Sequence, residues 1–344
     1  MKKLIEKYKS DRKIKFLTKE YKGKYAFIGI GNHSINNLYP VLNYLNVNLK
    51  YIVSNSEATA KAINENYDNI EGISDLNIAL NDAEIKGILI SANPSSHFEL
   101  IKKCLLKDKN VFVEKPPCFT SDELKQLIVA EKNSKGRVVV GMQKRYAPIN
   151  QILKDNINEA THYNYKYKVG YYPEGDAIID LFIHPLDIVN YIFGDAKIES
   201  AQKIEKSKGV ITYLLHLKHA NNVIGNVELS TDYWWAKSEE AFFVNTSNAY
   251  LESVNSDELT ATNKPKSILG IPLEKLKKPV ITKTYLFDRN TFLPVKEHNQ
   301  LVISGYYDEI QTFINICEGK NSINKSELKS LVNTYDLMTA IKNK

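Results

Sequence analysis

Cysteine is scarce in this chain: three among 344 residues, at positions 104, 118 and 317. They form no CxxC pair, so the sequence points to neither a disulfide framework nor a zinc site, and no HExxH or clustered His/Cys pattern suggests another metal. No apolar stretch approaches the ~20 residues of a membrane span. The start, Met1-Lys2-Lys3, lacks an apolar signal core because charges recur through Lys24, and a cytoplasmic protein is expected. Internal repeats and low-complexity linkers are missing as well. Basic charge of general distribution is also missing. The net charge is +6, but residues 1–24 hold ten basic and three acidic side chains, against 36 and 37 in the remainder. The body is close to neutral, which argues against a general nucleic-acid-binding face.

What is present fits a soluble globular enzyme: 43% hydrophobic and 25% charged residues, with enough length for two domains of ordinary size. The basic extension, residues 1–24, reads as a short helix packing on the body through Leu4, Ile5, Tyr8, Ile14, Phe16 and Leu17, in preference to a basic tail touching a partner. From residue 24 strand and helix signals alternate. Strands are expected at Lys24–Gly31, Leu49–Val53, Gly87–Ala92, Val111–Val113 and within Arg137–Gln143. Helices are expected at Ile35–Asn46, Glu57–Tyr67, Phe98–Leu106 and Ser121–Ser134, the last capped by Thr120 or Ser121. Apolar strands separated by helices imply a doubly wound α/β domain with a parallel sheet, assigned to residues 25–145.

The first strand-to-helix turn, Gly29-Ile30-Gly31-Asn32-His33-Ser34, has the form GxGxxS. The first glycine permits the tight turn and the second lets backbone amides approach a pyrophosphate. Ser34 replaces the glycine that serves close helix–strand packing. The end of the second strand, Val53-Ser54-Asn55-Ser56, lacks the carboxylate that holds the ribose 2′-hydroxyl of NAD. A 2′-phosphate is then not repelled, and Ser54, Asn55 or Ser56 can hydrogen-bond it. Lys61 is the nearest cation. The cofactor expected is NADP or NAD, with a slight preference for NADP.

Gly29-x-Gly31, Ser91-Ala92-Asn93-Pro94-Ser95-Ser96-His97, Glu114-Lys115-Pro116 and Asp180-x-x-x-His184 occur in that order. In this the chain resembles the Gfo/Idh/MocA oxidoreductases, the glucose–fructose oxidoreductase and inositol dehydrogenase family. The resemblance implies an N-terminal Rossmann domain and a C-terminal α+β domain, residues 146–344, with an open, largely antiparallel sheet that often mediates dimers or tetramers. It implies oxidation or reduction of a hydroxyl or carbonyl on sugars, nucleotide sugars, inositols and related compounds. Lys115 would sit beside the nicotinamide and the reacting oxygen, His184 would transfer the proton, and Asp180 would face the same site. Ala92, Asn93, Pro94 and His97 would lie along the cofactor, with Glu114 and Gln143 beside it. Arg145 and Tyr146 would follow the strand into the second domain. A glycine pair expected before the DxxxH block is reduced to Glu174-Gly175-Asp176.

The chemistry suits those residue types. Removing a hydroxyl proton as hydride leaves needs a base of pKa near operating pH, which histidine supplies. A lysine at the end of an apolar strand places positive charge where alkoxide character develops. Asp180 and His184 are one turn apart on an expected helix, Ile178–Phe193, and so share a face. The bland alternatives are a structural histidine and ordinary surface carboxylates at Asp180 and Asp187.

The second domain is expected to hold a helix at Ile149–Asn156, strands at Tyr163–Val169, Ile211–Leu217, Val223–Leu229 and Glu240–Val244, and closing helices at Ser304–Glu318 and Lys325–Ile341 near the active-site side. Trp234-Trp235 and Tyr171-Tyr172 either line a sugar pocket or fill the core, and the core reading is preferred. The leading function is an NAD(P)-dependent oxidoreductase acting on a sugar, nucleotide sugar or cyclitol, as a homo-oligomer. Two alternatives are a non-catalytic NAD(P)-binding sensor of the same fold and a glycosidase using transient NAD oxidation.

Overall fold

The structure is a computed structural model describing residues 2–17, 20–275 and 281–343, without the side chains of 12–17. The chain forms two compact units. One comprises Met1–Glu114, Val129–Val139 and Ile310–Asn324, the other Lys115–Ile128, Val140–Glu309 and Lys325–Lys344.

The first unit begins with helix α1 (Lys2–Leu17). Its Leu4, Ile5 and Tyr8 are 76%, 49% and 65% exposed, which overturns the packing expected of them. Three apolar side chains among lysines make too narrow a stripe to fasten a helix to a core. Ile14, Phe16 and Leu17 lie outside the described side chains. Next come β1 (Lys24–Ile28), α2 (Tyr39–Tyr44), β2 (Asn48–Val53), α3 (Glu57–Asn66), β3 (Glu71–Ile73), α4 (Leu76–Asn81), β4 (Ile85–Ile90), α5 (Pro94–Leu106) and β5 (Asn110–Glu114), then α6 (Ser121–Lys132) and β6 (Val138–Gly141), each of which straddles the division between the units. The sheet order is β3-β2-β1-β4-β5-β6. β1 pairs in parallel with β2 and β4, β2 with β3, and β4 with β5. The strands are buried almost throughout because helices cover both faces, hence their near-continuous apolar runs. β3 and α4 are additions to the sequence reading; at three and six residues they are too short to show a period. Thr120 caps α6 by accepting from Glu123 N at 3.1 Å, while Glu123 accepts from the Thr120 and Phe119 amides, a reciprocal capping box.

Residues 310–324 return to this unit at the amino ends of its strands. Phe313 meets the Tyr25 and Phe112 rings at 6.4 and 6.0 Å between centroids. Glu318 accepts from Gly23 N and the Tyr25 hydroxyl at 2.7 and 2.9 Å. This part of the closing helix therefore lies at the end of the sheet opposite to that expected.

Burial governs the cysteines. Desolvation pushes the Cys104 and Cys118 thiols up to about 12 and raises the Cys317 thiol well above its ordinary value. Since only the thiolate attacks, the folded protein should react with a chromogenic disulfide reagent at pH 8 roughly 10³-fold more slowly than exposed thiols. Three thiols should appear in 8 M urea; a fast native phase would contradict this burial.

The second unit contains α7 (Pro148–Asn156), β7 (Ala160–Gly170), α8 (Ala177–Asp180), α9 (Ile183–Phe193), β8 (Ala196–Ser207), β9 (Val210–His219), β10 (Ile224–Tyr233), β11 (Glu239–Thr246), β12 (Ala249–Val254) and β13 (Glu258–Asn263). A small hairpin, β14 (Ser267–Ile268) and β15 (Ile271–Pro272), precedes β16 (Lys283–Asp288), and α10 (Gln300–Ile303), α11 (Tyr306–Cys317) and α12 (Val332–Lys342) follow. Eight strands form a sheet in the order β16-β13-β12-β11-β7-β10-β9-β8. β7 and β10 are parallel neighbours; the other pairs are antiparallel. The alternation in β7 turns Tyr163 and Tyr165 inward, where Tyr163 stacks on Phe193 of α9 and Tyr165 on Phe242, both at 4.0 Å. Asn164 on the other face is exposed.

Asp187 is no surface carboxylate: 1% exposed, it takes two bonds from Arg145, Nε to Oδ2 at 2.7 Å and Nη2 to Oδ1 at 2.5 Å. Arg145 Nη1 donates to the Lys325 carbonyl and Ser330 Oγ, Nη2 also to the Ser330 carbonyl, and Thr334 donates to Asp187 Oδ1.

Candidate functional site

The first unit presents a cleft of about 920 Å³ at the carboxyl ends of β1, β2 and β4. Gly29, Gly31, Asn32, His33, Ser34, Ser54, Asn55, Ala92 and Asn93 all line it. Gly29 has φ +103°, and a Cβ there would lie 2.3 Å from the Ser91 carbonyl oxygen, so only glycine fits. A Cβ on Gly31 would instead meet nothing within 4 Å. That open space at a helix start is where a pyrophosphate would be held by backbone amides, so the residues present fit a dinucleotide. The helix here carries a π turn, Ser34–Leu38. Pro40 has no N–H for the carbonyl four residues back, which accounts for the widening.

Ser34 is fully buried, and its hydroxyl donates to Ser91 Oγ at 2.9 Å. It ties helix to strand, as expected of the position it occupies. His33 reaches out of the turn: Asn37 Nδ2 donates to its Nδ1 at 3.2 Å, so Nε2 carries the proton and donates to Glu114 Oε1 at 3.0 Å. The nucleotide turn is thereby braced against the end of β5.

At the end of β2, Ser54 Oγ accepts from Ser56 N, and Ser56 caps α3 by accepting from Thr59 N. The residues lining this end of the cleft include no Asp, Glu, Lys or Arg. Lys61 is 78% exposed and paired along its helix with Glu65 at 3.7 Å. Asn93 caps α5 through Ser95 N, with Pro94 in the first turn. His97 is buried, its Nε2 3.1 Å from the Ala92 carbonyl, and thus supports the loop from behind. Gln143 belongs to the second unit, where its amide donates to the Tyr306 hydroxyl at 3.4 Å.

Lys115 directly follows the last residue of β5. Its Nζ donates to the main-chain carbonyl of Asp180 at 2.5 Å. That carbonyl is available because the expected helix Ile178–Phe193 is broken: α8 stops at Asp180 and α9 starts at Ile183. Pro185 is the cause, since its ring displaces the carbonyl four residues back and it has no N–H to donate. Asp180 and His184 consequently sit on separate helices, a correction to the one-turn spacing read from the sequence. His184 is 8% exposed, in the first turn of α9.

The carboxylate of Asp180 accepts from the Tyr172 hydroxyl at 3.1 Å. Burial, then the Asp180 charge, push that phenol up to about 12, so it stays a donor throughout the working pH range. A Cβ on Gly175 would come 2.3 Å from Asp180 Oδ2. The glycine surviving from the expected pair is therefore the one that lets the loop close on Asp180. The sequence reading weighed Tyr172 only as a pocket-lining or core ring; its hydroxyl bond to Asp180 was not foreseen. The arrangement offers a fixed ammonium and a carboxylate with a phenol donor, groups that can bind a hydroxyl.

Residues 23–142 match an oxidoreductase family with an NAD-binding Rossmann fold, GFO_IDH_MocA. The uncharacterized oxidoreductase YhhX of Escherichia coli is 31% identical over 142 residues, 37% of this chain and 41% of its own length. An inositol 2-dehydrogenase of Salmonella paratyphi B is 28% identical over 127 residues, 34% of this chain and 38% of its own. The chain thus spans about two fifths of the length of these curated relatives. Among solved structures, a dehydrogenase from Chromobacterium violaceum superposes with TM-score 0.77 at 19% identity, covering 94% of this chain and 95% of that one. KijD10, a 3-ketoreductase from Actinomadura kijaniata in complex with TDP-benzene and NADP, gives 0.71 at 13%, covering 93% and 96%. These two share the fold over nearly the whole length. Over residues 23–142, then, the chain is similar to the NAD-binding Rossmann domain of the Gfo/Idh/MocA oxidoreductases.

Proposed function

We propose that the protein is an NAD(P)-dependent oxidoreductase that interconverts a secondary hydroxyl and a carbonyl on a sugar-like substrate. One observation carries the reading: Lys115, covalently next to the end of β5, is held by its ammonium on the Asp180 carbonyl. Gly29, Gly31, Ser54 and Asn55 in the cleft of the first unit would hold the dinucleotide, which when bound would supply the hydride acceptor for oxidation and the donor for reduction. Lys115 stabilises the oxygen as negative charge develops. His184 takes the hydroxyl proton in oxidation and returns it in reduction, so a hydride (one hydrogen with two electrons) and one proton leave the alcohol and a carbonyl remains. Asp180, oriented by Tyr172, holds the substrate by a neighbouring hydroxyl. The names of the relatives, inositol 2-dehydrogenase and 3-ketoreductase, support a cyclitol or sugar as the substrate class.

The uncharged lining around Ser54, Asn55 and Ser56 supports NADP over NAD by a small margin, since it lacks the carboxylate that would repel a 2′-phosphate. Titration of the full chain with NADPH and with NADH, followed by nicotinamide fluorescence, tests both points. NADPH should bind ~3–10-fold more tightly, and Ser54→Asp should reverse that order by placing like charge at the phosphate. Tighter NADH binding to the unaltered chain would overturn the preference; no binding of either would overturn the oxidoreductase reading. A cytoplasmic setting is supported by three free cysteines. A homo-oligomer is supported by the outward Leu214, Tyr250 and Val254, each more than a third exposed on the sheet of the second unit. Among the described residues no helix is long and apolar enough to cross a membrane.

A further inference from the structure

The core placement preferred for Trp234, Trp235 and Tyr171 is overturned, since they are 74%, 52% and 52% exposed. At the nucleotide turn of the first unit, meanwhile, the charge is unbalanced. No Asp, Glu, Lys or Arg occurs from Tyr25 to Leu49. Among the described residues lining the cleft, His33 is the one that can change its charge near neutral pH. Its partner Glu114, 3.0 Å away at the end of β5, is 7% exposed. With His33 neutral the pair carries one net negative charge, held mostly out of water where screening is weak. A dinucleotide brings a doubly charged pyrophosphate to the amides of this same turn. With His33 protonated the pair is neutral and that repulsion is gone. Protonation costs the ring no contact. Asn37 donates to Nδ1 from its amide nitrogen, and a half-turn of the same amide presents its oxygen to an Nδ1 proton. The neighbouring ionisable groups are differently engaged. His97 is buried with Nε2 3.1 Å from the Ala92 carbonyl. The Tyr39 hydroxyl donates to the Gly29 carbonyl at 3.4 Å, and burial raises its pKa beyond the working range. Lys115, next to Glu114 in sequence, gives its ammonium to the Asp180 carbonyl.

We propose that His33 is a positioning residue for the cofactor that takes up a proton as the dinucleotide binds, so that an imidazolium, rather than a lysine or arginine, balances Glu114 beside the pyrophosphate. The proposal rests on the NAD(P)-binding reading and deepens it. The proton comes from solvent and returns there when the cofactor leaves; the Nδ1–H bond is the one that forms and breaks. The sign follows from linkage. The bound state keeps His33 protonated to higher pH than the free state does. Affinity is therefore highest at low pH and falls as pH rises through the histidine range. The grip of the turn on its cofactor is thus set by pH.

The test uses the full chain and NADH, whose phosphates do not titrate between pH 6.5 and pH 8. Calorimetric titration at pH 7 in PIPES, HEPES and imidazole buffers gives the protons taken up, as the slope of binding heat against buffer ionisation heat. Roughly half a proton should be taken up, and NADH should bind ~3–5-fold more tightly at pH 6.5 than at pH 8. His33→Gln is neutral and His33→Lys charged throughout this range, so each should take up less than ~0.1 proton. At pH 8 His33→Lys should bind NADH at least ~3-fold more tightly than His33→Gln, because charge alone separates them. The same differences among the three proteins should appear with NADPH, whose 2′-phosphate contributes equally to each. The His33 side chain is 42% exposed, so both variants should keep the wild-type urea midpoint. Proton uptake that is absent from the unaltered chain, or that persists in His33→Gln and so belongs to another group such as His97, overturns the proposal. Equal affinities of the two variants at pH 8 overturn it as well. So does loss of binding in both, since the imidazole would then act by shape and not by charge. Failure of the unaltered chain to bind either NADH or NADPH overturns the dinucleotide reading itself, whereas binding without proton uptake overturns the role of His33 alone.

Discussion

Lys115→Ala is expected to lower kcat/KM by ~10²–10³-fold, about 3–4 kcal/mol of transition-state stabilisation, while NADPH binding changes by less than ~3-fold. The reasoning is local. The nucleotide cleft is built from residues of the first unit that do not include Lys115. The Lys115 ammonium is instead anchored on the Asp180 carbonyl, beside a carboxylate fixed by Tyr172. Removing it should therefore take away charge at the reacting oxygen rather than affinity for the dinucleotide. Lys115→Arg would restore charge but carries a planar, larger head, so recovery should be partial. The measurement is steady-state reduction or oxidation on sugar and cyclitol panels, with cofactor titration in parallel. Full turnover in Lys115→Ala would remove lysine from the mechanism. A wild-type chain that binds NADPH and turns over none of the panel would favour the non-catalytic sensor.

The second large effect is on stability. Asp187→Ala should destabilise the second unit by about 3–5 kcal/mol, because it leaves the Arg145 guanidinium, 2% exposed, without its carboxylate. Asp187→Asn keeps an acceptor and should cost roughly half as much. The double variant Arg145→Met, Asp187→Leu should recover most of the loss, since an apolar pair of similar volume has no buried charge to compensate. Urea unfolding followed by far-UV circular dichroism gives the comparison, read as a shift in midpoint at constant slope. An Asp187→Ala midpoint within the equivalent of ~1 kcal/mol of wild type would mean that water reaches Arg145 and the network carries little.

Several features were legible from the residues because their physics is local. Val111-Phe112-Val113 is apolar on consecutive positions, so it had to be a strand covered on both faces, and the lysine two residues beyond had to lie at a strand end. Gly29 was required by its own backbone, at φ +103° and against Ser91. The Tyr163-Asn164-Tyr165 alternation sorted its side chains to two faces. Thr120 and Glu123 announced the start of α6. Pro185 was equally visible and was passed over; its missing N–H breaks the helix between Asp180 and His184.

Other features depend on partners distant in sequence, which no local pattern encodes. Trp234 and Trp235 carry the same composition whether buried or exposed, and only the course of the chain beyond β10 leaves them in water. Asp187 looked like any helix carboxylate until the fold brought Arg145 beneath it from 42 residues away. Tyr172 acquired its role from a loop that closes on Asp180 at Gly175. The apolar residues of α1 promised a docked helix and remain exposed at Leu4, Ile5 and Tyr8. By itself, then, the sequence determined the strands of the first unit other than β3, the nucleotide turn and the position of Lys115, because periodicity, glycine conformation and strand burial act within a few residues. The tertiary structure alone decided which carboxylate is buried with an arginine, which phenol holds Asp180 and which aromatics face solvent, because desolvation and hydrogen bonding at those groups are set by residues that only folding brings together.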